Sequence, residues 1–112
     1  MRIENTKAQM RKGILEYCIM SYLEQKSAYA SDIMEALKEA QLIVVEGTIY
    51  PLLTRLKNAE LLNYHWEESS SGPPRKYYQI SETGKTFLKD LDQTWDVLKN
   101  AVELTKQADS HE

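Results

Sequence analysis

A chain of 112 residues with a net charge of −3 is long enough for one domain with its own core, because chains of this size bury roughly 65% of their unfolded surface. Its single cysteine, Cys18, excludes an internal disulfide, and no apolar run approaches the roughly 18 residues of a transmembrane helix. Arg11 and Lys12 break the N-terminal stretch too early for a secretory leader, so the expected setting is cytoplasmic, with no membrane partner.

Ile14, Leu15, Cys18, Ile19, Tyr22 and Leu23 recur at helical spacing and predict a first helix over about residues 10–25, with Cys18 as a small core hydrophobe. The polar break Gln25-Lys26-Ser27-Ala28 follows, with Ser27 as the expected N-cap of the next helix. Ile33, Met34 and Leu37 mark one face of that second helix, which ends near Ala40. Residues 41–46 connect it to a third; the β-branched run Leu42-Ile43-Val44-Val45 predicts some extended character there.

Proline is tolerated in the first turn of a helix, where backbone N–H groups lack intrahelical partners, so Pro51 predicts a third helix starting near Gly47 or Thr48. Ile49, Leu52, Leu53 and Leu56 form its buried stripe. Gly47, Pro51, Thr54, Arg55 and Asn58 lie opposite, flanked by Thr48, Tyr50 and Lys57. That outer face is small, polar and cationic, suited to close approach to a groove.

Residues 62–67 and 77–80 alternate with period two and predict paired antiparallel strands. The breaker-rich stretch between them, residues 68–74, reads as a loop. Ser81 then caps a final helix running to about Gln107, roughly 39 Å long at 1.5 Å per residue. Leu88, Leu91, Trp95, Leu98, Val102 and Thr105 step by three and four residues, which is a heptad seam. One chain offers this helix no long partner, so the expectation is a homodimer built on residues 82–107, with residues 108–112 frayed. The predicted fold class is mainly α with a small β-hairpin wing. It divides into a winged helix-turn-helix over residues 1–80 and a long C-terminal dimerisation helix with a short tail over residues 81–112.

Catalytic chemistry finds no support. His111 lies in a polar tail, and His65 with Glu67 and Glu68 matches no zinc spacing and reads as a solvated strand face. No nucleophile elbow or phosphate-cradling glycine loop is present, so neither an enzyme nor a cofactor is expected.

Nucleic-acid binding asks for a groove-entering element and cations for phosphates. Residues 1–80 are balanced, ten Lys/Arg against ten Asp/Glu, while the first thirteen residues carry +3 and residues 81–112 hold the entire −3. A local basic surface binds phosphate even on an acidic chain. The candidate DNA-binding residues are Arg11 and Lys12 on the first helix; Thr48, Tyr50, Pro51, Thr54, Arg55 and Lys57 on the third; and Arg75 and Lys76 beside the hairpin tip. The candidate dimerisation residues are Leu88, Leu91, Trp95, Leu98 and Val102. The partner expected is double-stranded DNA. The competing reading is a dimeric winged-helix scaffold that binds small molecules or proteins and not DNA, which the acidic balance favours.

Five segments resemble the PadR family of transcriptional regulators: Lys12-Gly13-Ile14-Leu15-Glu16, Tyr29-Ala30-Ser31-Asp32-Ile33, residues 47–56 (Gly-Thr-Ile-Tyr-Pro-Leu-Leu-Thr-Arg-Leu), Trp66, and Gly72-Pro73-Pro74-Arg75-Lys76-Tyr77-Tyr78. They keep the family's order over roughly residues 10–90, and one long last helix resembles its shorter-bodied subfamily. The resemblance implies a dimeric winged-helix repressor on an inverted repeat, with the third helix in the major groove, the wing on flanking DNA and the last helix dimerising. Some relatives sense phenolic acids, and others sandwich flat aromatic drugs between tryptophans of the last helix at the dimer interface. Trp95 stands at a comparable place, so it is a candidate stacking residue for a small aromatic effector as well as a seam residue. Two departures stand out: Ala30 and Glu60 occupy positions where the family usually has glycine. A left-handed Glu60 would carry strain on the order of 1 kcal/mol.

Overall fold

A computed structural model describes residues 2–107. Four helices and three strands follow in the order α1 (Ile3–Gln25), β1 (Ala28–Tyr29), α2 (Ala30–Glu39), α3 (Glu46–Asn58), β2 (Leu62–Ser69), β3 (Gly72–Ile80) and α4 (Glu82–Lys106). The strands form one antiparallel sheet in the order β1-β3-β2. No helix among the described residues is long and apolar enough to cross a membrane.

The core gathers one face of every element: Ile19, Met20 and Leu23 of α1, Ile33 and Leu37 of α2, Ile49, Leu53 and Leu56 of α3, Leu62 and Tyr78 of the sheet, and Leu88 of α4. Thus the predicted stripe of α3 is buried as a unit, Leu52 lying at its half-buried edge. Cys18 is half-buried against this core, and burial pushes its thiol up, away from the reactive thiolate.

Several boundaries differ from those the sequence predicts. α1 begins at Ile3, about two turns before residue 10. Those turns are almost wholly exposed, so they carry no apolar rhythm to detect. Ser27 does not cap α2: Ala28 and Tyr29 first pair with Tyr78 and Tyr77 as β1, and Tyr29 is the cap residue. Its N–H donates to Asp32 Oδ2 at 3.1 Å, the reciprocal half of a capping box. α3 starts at Glu46, which puts Pro51 in its second turn. The missing proline N–H deprives the carbonyl of Gly47, an exposed residue that water can reach, of its usual partner. Residues 42–45 form no strand.

The wing is longer than predicted, since the strands continue to a two-residue turn at Ser70 and Ser71. Pro73 and Pro74 lie inside β3, where the register shifts between the Glu67–Arg75 and Ser69–Gly72 pairs. β1 covers β3 only at Tyr77 and Tyr78, so beyond them the other edge of β3 is open and prolines fit there.

α2 and α3 end alike. Leu42 N–H reaches the Leu37 carbonyl at 2.7 Å, and Leu61 N–H reaches that of Leu56 at 3.0 Å. These are Schellman bonds, and each puts a non-glycine residue in the left-handed region: Gln41 at φ 69° and Glu60 at φ 64°. The strain expected at Glu60 is therefore present. Ser81 then fastens α4 to this turn. Its N–H donates to the Leu61 carbonyl at 3.0 Å, and its Oγ donates to that of Glu60 at 2.7 Å and accepts from Gly84 N–H at 2.9 Å.

Candidate nucleic-acid interface

The outward side of α3 is open. Thr48, Tyr50, Pro51, Thr54, Arg55 and Lys57 are all exposed, as are Arg11 and Lys12 on α1. The structure divides these residues between two flanks of the helix.

On the wing flank, Tyr50, Arg75 and Lys76 meet around a cleft of about 320 Å³ whose floor is the start of α2, at Tyr29, Ala30 and Ser31. Two cations line this cleft beside the start of α2, whose Tyr29 N–H is already taken by the Asp32 carboxylate, so Arg75 and Lys76 are what suit it to a phosphate backbone. Arg75 and Lys76 lie beside the hairpin tip, inside β3 and on opposite faces of it. The Arg75 guanidinium stacks 3.9 Å from the Tyr29 ring centroid. The Lys76 ammonium lies 4.6 Å from the Tyr64 ring and 5.6 Å from that of Trp66. Aromatic faces attract cations and hold these long side chains in place without neutralising them. Trp66, 61% exposed, extends the wing's aromatic surface outward. Tyr29 and Ser31 went unremarked as site residues in the sequence, because only the β1–β3 pairing brings the start of α2 under the wing.

On the other flank, Arg11, Lys12, Thr48 and Pro51 line a groove of about 540 Å³ between α1 and the segment leading into α3. Arg55 shares this flank and is ion-paired with Glu16 of α1. Glu16, the partner of this candidate residue, went unremarked in the sequence. Lys57 lies at the far end of α3, beside Asn58 and Asn63.

The predicted seam of α4 is divided. Leu88 is 1% exposed and belongs to the protomer's own core, and Leu91 is half-buried against it. Trp95, Leu98 and Val102 are exposed. Trp95 stands 6.4 Å from the ring of Tyr17 and, with Met10, Ile14 and Leu98, lines an apolar groove of about 270 Å³ between α1 and α4. Tyr17 donates to Asp92 Oδ1 at 2.5 Å; this bond, then burial and the charge of Asp92, pushes its phenol up to about 12. His65 pairs with Glu67 at 3.0 Å on an exposed face of β2, and His111 lies outside the described residues.

A wing laid beside an exposed, cation-flanked third helix is the arrangement of winged-helix transcription factors. The sequence profile of the Transcriptional regulator PadR-like family matches residues 19–90. The chain belongs to the PadR family. A PadR-like transcription factor from Bacteroides fragilis is 59% identical, covering 90% of this chain and 98% of that one at a TM-score of 0.79. A PadR-like transcriptional regulator from Bacillus cereus is 36% identical, with 88% and 97% covered at 0.77. A PadR family transcriptional regulator from Eggerthella lenta, at 28% identity, superposes at 0.84 over 94% and 92% of the two chains. As a PadR-family member this chain is a transcriptional regulator with a winged-helix fold, not an enzyme.

Proposed function

We propose that the protein is a cytoplasmic, sequence-specific repressor that binds an inverted-repeat operator as a homodimer. The observation that carries this reading is the meeting of Tyr50, Arg75 and Lys76 over the start of α2, beside the exposed face of α3. α3 enters the major groove through Thr48, Tyr50, Pro51, Thr54 and Arg55. The wing cations hold phosphates on one side, Arg11 and Lys12 hold them on the other, and Lys57 holds them at the far end of α3.

Residues 1–80 carry the DNA interface and residues 81–112 the dimer interface. Trp95, Leu98 and Val102 form the seam, with Leu91 at its inner edge; Leu88, packed inside its own protomer, anchors α4 to the domain. Exposed apolar side chains repeating along one helix face ask for a covering partner, and a second copy supplies the same face.

The groove beside Trp95 supports a further role, the capture of a flat aromatic effector that stacks on the indole and releases DNA. The same groove, together with the acidic balance of the chain, favours the alternative, a winged-helix scaffold that binds small molecules or proteins without binding DNA.

Titration of a duplex carrying the gene's own upstream region against a scrambled duplex, from about 50 to 300 mM salt, separates the two. Selective binding with a steep salt slope establishes the repressor. No binding to either duplex at any salt favours the scaffold.

A further inference from the structure

Glu16 lies in the middle of α1, yet its carboxylate reaches across to Nη2 of Arg55 on the recognition helix. The two side chains are unequally placed. Glu16 is 15% exposed, tucked beside Met20, Leu56 and Phe87, whereas Arg55 is 65% exposed. A guanidinium has five N–H donors in a rigid plane, and here one nitrogen is held while most of the group stays in solvent. Arg55 also lies seven residues, about two turns, beyond Thr48 on the same flank of α3.

These features do two separable things to an arginine. Anchoring one nitrogen narrows the orientations of the fork before any ligand arrives, so less freedom is lost when its other donors engage a base edge or one particular phosphate. A carboxylate at contact also cancels the positive charge at range. Indiscriminate DNA binding is driven by counterion release and scales with net cationic charge. Sequence reading instead depends on directed hydrogen bonds. The pair thus weakens the first while sharpening the second.

We propose that Glu16 is a specificity-determining positioning residue for DNA recognition. It holds Arg55 in one orientation at the duplex and suppresses its use as a free cation on non-cognate DNA. The inference rests on the DNA-binding reading above and adds a residue outside the recognition helix and the wing.

The test is fluorescence anisotropy of wild type, Glu16→Gln, Arg55→Ala and the double variant, on the upstream and scrambled duplexes, from about 50 to 300 mM salt. In Glu16→Gln the salt slope on scrambled DNA steepens by about one, which is about a sixfold greater loss of affinity across that range. The upstream-to-scrambled affinity ratio falls about fivefold or more. Arg55→Ala lowers the same ratio, and adding Glu16→Gln to it leaves the ratio where Arg55→Ala put it. Arg55→Lys, which keeps the charge and loses the fork, lowers the ratio at an unchanged slope and serves if Glu16→Gln fails to fold.

A wild-type ratio and slope in Glu16→Gln, a Glu16→Gln effect on the ratio that persists without Arg55, or a wild-type ratio in Arg55→Lys would each overturn the inference while leaving the repressor reading intact. Wild type that binds neither duplex removes both.

Discussion

Tyr17 on α1 donates its phenolic hydrogen to Asp92 on α4 at 2.5 Å, and its ring faces Trp95 one turn further along. Glu16, the preceding residue, holds Arg55 of α3. A single turn of α1 therefore touches both the helix that would read DNA and the helix that would hold a second copy. The Tyr17 bond has a pH signature. Its folded-state pKa, near 12, exceeds the ordinary value of 10.0, so the stability it confers is complete below pH 10 and is lost as pH rises towards 12. In thermal melts from pH 8 to 12, Tyr17→Phe is expected to be less stable than wild type at pH 8, with the gap closing across that window. A gap that stays constant would show that the hydrogen bond does not set the shift.

Gly84 is required by close approach. A Cβ there would collide with the Leu61 carbonyl oxygen and lie 2.8 Å from Ile80 Cγ1. Backbone cannot swing aside as a flexible side chain can, so Gly84→Ala is expected to cost about 2–3 kcal/mol of stability in urea unfolding. A loss below about 0.5 kcal/mol would mean that the start of α4 relaxes away from the turn.

Glu60 predicts the opposite sign. Its left-handed backbone is strained for any residue with a Cβ, so Glu60→Gly should stabilise the domain by about 1 kcal/mol in the same assay. Equal or lower stability would show that the Schellman turn tolerates glutamate at no cost.

For the wing, Arg75→Ala and Lys76→Ala are each expected to weaken binding on upstream and scrambled duplexes alike, and to lower the salt slope by about one. Both side chains are held against aromatic rings, so the loss is of charge already in place. Unchanged slopes in both variants would remove the wing from the interface.

For the seam, Leu98 is a cleaner probe than Leu91, which also packs within the protomer. Leu98→Asp is expected to yield monomers by light scattering with the helical content kept, because a charge buried between two copies lacks a partner. A surviving dimer would place its interface elsewhere.

The fold was largely legible because its signals are local. The α3 stripe from Ile49 to Leu56, the alternation in β2 and the Ser81 cap each follow from neighbours within a few residues. What escaped depends on distant partners or on missing patterns. The first two turns of α1 have no buried face to give a rhythm, and β1 is two residues whose pairing with Tyr77 and Tyr78 no local rule announces. The site followed the same division. Exposure of the α3 and wing residues could be read from periodicity, but the Tyr29 seat for Arg75 and the Glu16 tether on Arg55 join elements 46 and 39 residues apart.

The Ser81–Gly84 fastening turns α4 into a lever. Its fulcrum presses on the turn that closes α3, while its tip at Lys106 stands about 33 Å away at 1.5 Å per residue. Tyr17 also ties α4 to α1 at Asp92 and Trp95, so a swing of about 5° at the fulcrum carries α1 with it and moves the tip by about 3 Å. Read in reverse, a displacement of a few ångströms among the outer side chains of α4 arrives at α3 as a small change of angle. In a pair of such molecules, the geometry of two distant helix tips would thus set the spacing at which both recognition helices meet the duplex.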